Sequence, residues 1–256
     1  MIPAIIVTFE NPEKLARCVA SLEGQAEVRI EENTRENNRL YTKALNDGMK
    51  QYSFDTTQYI LLICDDVEVH PGCVRALAEY LEADPDCAIA MPVQVSKSGD
   101  VTCGGCTRAF PVGYHVMEPL DHKMYEKPFQ SYWANGACLM VRTEAIQECG
   151  LMDENMKFIC SDSDWSFTMR SRGWTCVVVP DARVTHEPDG AKNYKNPFIE
   201  KTKDEDFLYF MKKWLTGGLF QSLAFEGPTL TQEQVLEMYN ILQGRLAHGY
   251  AETQNE

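Results

Sequence analysis

The apolar positions of this chain change period every ten to fifteen residues, and those changes mark out its elements. Residues 3–9, apolar but for Thr8, read as a buried strand. Asn11-Pro12-Glu13-Lys14 follows, an N-cap with proline at the first helical position, and Leu15, Cys18, Val19 and Leu22 then recur at helical spacing. "AEVRIEEN" (26–33) alternates like a second strand. "RLYTKALNDGMKQ" (39–51) places Leu40, Ala44, Leu45 and Met49 on one helical face, and "QYILLIC" (58–64) is short and β-rich, as a central strand should be. Strand, helix, strand, helix, strand predicts an α/β fold with a parallel sheet and right-handed crossovers.

Further along, the pattern predicts a helix over 72–83, a strand over 87–95, and loops with short strands over 96–131. A strand and helix share 136–150, a helix covers 161–174, and "TCVVVPDARVTHE" (175–187) reads as a strand pair interrupted at Pro180. Residues 187–206 have linker chemistry. Two helices are expected to close the chain, one around 204–216 and one opening at Thr231 with the capping-box pattern Thr231-x-x-Gln234. The expected organisation is a domain over 1–190, with a mobile loop and helical extension over 191–256 packed on it.

Charge narrows the partners. With 24 basic and 38 acidic residues the net charge is −14, which repels phosphate backbones and anionic membrane surfaces, so nucleic acid is not an expected partner. No 18-residue apolar run and no charged leader segment is present, which predicts a cytoplasmic protein without a transmembrane segment. Ten cysteines raise a metal or disulfide reading, but Cys18, Cys64, Cys138 and Cys176 sit in apolar patterns. Cys103-Gly-Gly-Cys106 is the one CxxC and lacks a second pair at zinc-finger spacing, so a structural metal there is the minority reading.

Ligands of parallel sheets gather at the carboxyl ends of strands. "LLICDDVEVHPG" (61–72) ends an apolar strand on Asp65-Asp66, whose mutual repulsion a bound cation would relieve. Asp162 with Asp164, and His186, also stand where strands end or helices begin. No G-x-G-x-x-G follows the first strand, which argues against a dinucleotide dehydrogenase, and "VTFENPEKL" lacks the Gly-rich basic loop of a nucleotidyltransferase.

Over roughly residues 3–190 the order of these motifs resembles a family 2 glycosyltransferase of the GT-A fold. "AIIVTFENPEKLARCVASL" looks like that family's opening. "NRLYTKALNDG" matches its N-x-G-[FY]-x-x-A-x-N-x-G segment at Asn38, Tyr41, Ala44, Asn46 and Gly48, with Leu40 in place of glycine. "ICDDVEVHPG" resembles its D-x-D segment, "WANGACLMVR" its strand before the acceptor site, and "SDSDWSFTMRSRGW…VVVPDARVTHE" its E-D-x-D…R-x-x-G-W…H region. Cys64, Ser161, and Glu31 or Glu32 stand where the family carries other acids.

The resemblance implies a Rossmann-like, mostly parallel central sheet flanked by helices, with a C-terminal helical extension. It implies inverting transfer from a nucleotide-diphospho-sugar, UDP preferred, to an acceptor hydroxyl, with Mn2+ or Mg2+ held by Asp66 and His186. Asp162 takes the position of the catalytic base, and Asp164 that of a supporting or acceptor contact. Thr8, Phe9, Glu10, Glu32, Asn33, Asn38, Lys43 and Asp65 are expected around the nucleotide, and Trp133, Asn135, Gly136 and Trp165 around the sugar or acceptor. A nucleotide-sugar binder of the same fold without turnover is the alternative, ahead of a nucleotidyltransferase.

Overall fold

β1 (Ile2–Phe9) and β3 (Tyr59–Cys64) lie inside the sheet because nearly all their residues are apolar and both faces are covered. The computed structural model describes residues 1–107, 115–187, 196–216 and 232–248. β2 (Ala26–Asn33) forms one edge beside β1, and its alternation matches its half-exposed position. The remaining strands are β4 (Val67–Val69), β5 (Cys87–Val95), β6 (Val101–Cys103), β7 (Phe129–Gln130), β8 (Cys138–Arg142) and β9 (Thr175–His186). The main path runs β2-β1-β3-β8-β5-β9-β4, with β6 on β5 and β7 on β9.

Alternate residues feed two cores. Ile5, Val7, Ile60 and Leu62 face the side covered by α2 (Leu40–Met49), α4 (Thr143–Cys149) and α5 (Ser161–Arg170). Ala4, Ile6, Leu61 and Ile63 face α1 (Pro12–Ser21) and α3 (Cys73–Ala83). The expected Asn11 cap is present, its side chain accepting from the Lys14 amide with Pro12 opening the helix. Gly48 lets α2 lie close to the sheet, since a Cβ there would fall 2.6 Å from Ile5 Cγ2.

The sheet is mostly parallel, as expected: β1, β2, β3, β5 and β9 run one way, and β8 is antiparallel to both its neighbours, β3 and β5. An apolar strand buried on both faces carries no mark of its direction. Two expectations are corrected. First, residues 175–186 form one strand. Its pairing with β5 skips from Val179 to Arg183, so Pro180 is absorbed in an irregularity where no ladder N–H is required. Second, linker chemistry ends earlier than expected. α6 (Pro197–Met211) opens at an Asn196 cap with proline at its first position, and a π-helical turn, Lys212–Thr216, continues it. α7 (Gln232–His248) packs on α6, with Arg245 paired to Asp204 at 2.9 Å. Residues 188–195 of the expected loop and the expected cap Thr231 lie outside the described residues.

Candidate active site

β3 ends at Cys64 and delivers Asp65 and Asp66 to the cleft. Asp65 accepts from Thr8 Oγ1 at 2.6 Å, which ties the ends of β1 and β3 together. Burial, and to a lesser degree the Asp66 charge, pushes the Asp65 carboxyl above its ordinary value, while the Thr8 hydrogen bond opposes this. Asp66 Oδ1 lies 3.5 Å from His186 Nε2, at the end of β9, and Asp66 Oδ2 lies 3.8 Å from Lys14 Nζ, on the first turn of α1. Lys14 also reaches the Glu187 carbonyl at 3.5 Å. It was missed at the level of sequence because "NPEKL" was read only as a helix start; a lysine in the first turn after β1 was the available signal.

The tautomer of His186 follows from a chain of hydrogen bonds that begins at a backbone amide. Ala137 N–H donates to Asn135 Oδ1 at 3.0 Å, so that atom is the oxygen. Gln94 must then present its amide nitrogen to the same oxygen, at 2.9 Å, which turns Gln94 Oε1 toward His186 Nδ1, also at 2.9 Å. His186 Nδ1 therefore carries a proton, and Nε2 is the ring nitrogen that faces Asp66. Gln94 is 1% exposed, so this partner is fixed by packing. The other end of Asn135 donates to His115 Nε2 at 3.1 Å.

Asp162 sits in the first turn of α5. Its Oδ2 accepts from the Gly136 amide at 2.8 Å and its Oδ1 from the Ser163 amide at 2.8 Å. Desolvation pushes the carboxyl up, and these two amides hold the rise in check. Gly136 is required by close approach, because a Cβ would lie 2.3 Å from Tyr41 Oη and 3.1 Å from Asp162 Oδ2. Cys64, in the position of a family acid, lies between the two halves; burial and the charges of Asp66, Asp65 and Asp162 keep its thiol neutral.

The loop that aims Asp162 is held from elsewhere. Asp206 of α6 is fully buried and accepts from the amides of Lys157, Phe158 and Ile159 at 2.9, 2.6 and 2.9 Å. On the α2 side, Thr42 N donates to the Lys157 carbonyl and Thr42 Oγ1 bonds Ser161 Oγ at 2.8 Å. The chain enters α5 through Cys160 at φ 65, an uncommon conformation for a residue with a Cβ.

Several expected site residues have other duties. Asp164 is 2% exposed and turned away from Asp162, bound to Lys213 Nζ at 2.8 Å and to Trp214 Nε1 at 2.6 Å. Trp165 is in the core, donating to the Gly150 carbonyl at 2.9 Å, and Trp133 is buried against His115. Lys43 pairs with Asp47 at 3.1 Å on α2. Glu10 binds Arg35, and Asn38 Oδ1 accepts from the Leu40 amide. Asn33 is buried and holds the Arg39 amide and the Leu40 carbonyl. Glu31 is enclosed by Arg29 and Arg39, while Glu32 and Phe9 are exposed at this end of the sheet. Leu40 takes φ 58, the left-handed conformation that explains glycine at the matching family position.

The mostly parallel sheet thus brings two adjacent carboxylates and a histidine to one end, and a half-buried aspartate opens α5. Comparison with known proteins places this arrangement in a family. Residues 4–202 match the family described as "Glycosyltransferase like family 2", and the chain belongs to that family. Over 54 residues it is 37% identical to an N-acetylglucosaminyl-diphospho-decaprenol L-rhamnosyltransferase of Mycobacterium tuberculosis, found in strains CDC 1551 / Oshkosh and ATCC 25618 / H37Rv. That match spans 21% of this chain and 18% of the relative. A crystal structure of GalNAc-T7 with UDP, GalNAc and Mn2+ superposes with a TM-score of 0.59 at 14% identity, covering 95% of this chain and 55% of that one. The fold is GT-A. Among the described residues no helix is long and apolar enough to cross a membrane.

Proposed function

We propose that this protein transfers a sugar from a nucleoside-diphosphate donor, UDP-linked by preference, to an acceptor hydroxyl with inversion. The observation that carries the reading is the approach of Asp66 to His186, with the imidazole Nε2 held toward the carboxylate by the Gln94 contact at Nδ1. One oxygen and one nitrogen donor, with Asp65 adjacent, suit Mn2+ or Mg2+, the nitrogen favouring Mn2+. Such a cation neutralises charge on the departing diphosphate. Lys14 adds a fixed positive charge beside the same carboxylate.

Asp162 acts as general base. It takes the acceptor hydroxyl proton at a carboxylate oxygen as the new glycosidic bond forms, and one base with no second nucleophile gives inversion. Its raised pKa makes it a stronger base than an exposed aspartate. Gly136 and Ser163 hold the carboxylate in place, so no reorientation is needed at the moment of transfer.

Titration with UDP in Mn2+ and in chelator tests the reading. UDP should bind far more tightly with Mn2+, and Asp66→Ala should remove the difference; equal affinity in both buffers for the unaltered protein would refute the cation assignment. A binder without turnover is the second reading, favoured by Cys64 at a family acid position. It predicts the same titration but no slow release of UDP from UDP-sugars.

A further inference from the structure

We propose that Cys103, Cys106 and His115 form a zinc site separate from the Asp66 and His186 pair. The two sulfurs and a ring nitrogen of His115 all lie within 4.8 Å of one another. The Sγ atoms are 4.0 Å apart, close to the ~3.8 Å edge that two thiolates share on a tetrahedral zinc with bonds of ~2.3 Å. The sequence has no second CxxC; the third donor is a lone histidine whose backbone pairs with that of Cys106 in an antiparallel bridge.

The turn is built to hold these donors. Gly104 and Gly105 between the cysteines admit no side chain, since a Cβ would fall 1.8 Å from Tyr125 Oη at the first and 3.0 Å from Val178 Cγ2 at the second. The Cys106 amide donates to Ser131 Oγ at 2.9 Å. Both cysteines are buried and neither is in a disulfide. Asn135 donates to His115 Nε2 at 3.1 Å, which fixes the ring beside the turn. Sulfur and imidazole donors select zinc over Mn2+ or Mg2+, so the two sites discriminate by ligand type.

Each thiol gives its proton to solvent as its zinc–sulfur bond forms, and no electron is transferred. The ion would pin Cys106 to His115, next to Trp133 and Asn135, and so stiffen the wall of the cleft near Asp162. This proposal does not depend on the transferase reading.

The test uses the reduced full chain. After incubation with Zn2+ and desalting, elemental analysis should find about one zinc per chain. Replacement by Co2+ should give a thiolate-to-cobalt charge-transfer band in the near ultraviolet. His115→Ala and Cys106→Ser should each lower zinc affinity by ~10-fold or more, while Asp66→Ala should leave zinc content unchanged. Absence of zinc and of the cobalt band in the unaltered chain overturns the proposal without any variant having to fold. Zinc that persists in Cys106→Ser and disappears in Asp66→Ala overturns it as well.

Discussion

Asp66 and Asp162 face one cleft but reach it by different routes. Asp66 follows directly from β3, whose apolar residues set the strand and whose end sets the carboxylate, and its partners Lys14 and His186 are delivered by the neighbouring α1 and β9. Asp162 depends on a loop whose amides are held by Asp206, about fifty residues further along the chain, and whose helix is anchored through Asp164 to Lys213 and Trp214. The proposed donor half is thus a property of the sheet, whereas the proposed acceptor half is a joint between the sheet and the C-terminal helix. Two aspartates two residues apart on α5 divide these duties: Asp162 faces the cleft and Asp164 faces the helix.

The largest expected effect tests that division at Asp162. Asp162→Asn keeps the size of the side chain and one of its two acceptor oxygens, so either the Gly136 or the Ser163 amide loses its partner, and it cannot take a proton in the transition state. Transfer should fall by ~10² to 10⁴, while UDP and Mn2+ affinity stays within about three-fold, because the base acts only on the reaction path. In the unaltered enzyme, burial holds the base above the usual aspartate range, so activity should fall with acidification before pH reaches ~3.9. Steady-state rates across pH, set beside UDP titrations, separate the two quantities. An Asn variant with normal transfer would move the base elsewhere.

Asp164 should behave in the opposite way. Burial opposes the charge on Lys213, yet Asp164 and Asp153 hold its pKa above the usual lysine value, so the group is a cation locked into the joint. Asp164→Ala leaves that cation with Asp153 alone and leaves the Trp214 N–H without its acceptor. Stability should drop by about 2 to 3 kcal/mol, below the full cost of breaking a buried pair because Lys213 keeps some solvent contact. Urea unfolding should show the loss, with the UDP midpoint unchanged. Full stability combined with lost transfer would instead make Asp164 the acceptor contact expected from its sequence position.

This contrast also explains what could be read from the sequence. The donor half was legible because strand ends are visible in the hydrophobic pattern and Asp65-Asp66 directly follow one. Leu40 shows why a motif match can survive a substitution: the backbone keeps φ 58 although the glycine is gone, with Asn33 and Asn38 bonding the neighbouring amides and carbonyl. The acceptor half was legible only as a list of residue types. Nothing near "SDSD" says that its second aspartate answers to Lys213, or that Trp165 turns inward to Gly150, because those partners are set by how α6 and α5 pack. The same limit hid the direction of β8 and the meeting of His115 with the CxxC turn, both of which arise from pairings distant in sequence.

The smallest effect should come from Gln94, where the two halves of the cleft are joined. Gln94 touches neither the donor nor the acceptor in the proposed reaction; it acts on His186, and through Asn135 on the segment that carries Gly136. Gln94→Leu removes the acceptor that keeps the proton on Nδ1, so His186 can carry it on Nε2 instead and oppose a cation there. Mn2+ affinity measured in the presence of UDP should weaken by ~10-fold, the scale expected when the partner of a metal-binding histidine is lost. A purely structural role would give the same loss with any replacement that disturbs packing. Gln94→Glu distinguishes the cases, because its carboxylate still accepts from Nδ1 although it no longer donates to Asn135. Mn2+ affinity should therefore recover in the Glu variant relative to the Leu variant, and equal weakening in both would show that Gln94 acts by packing rather than by orienting the imidazole.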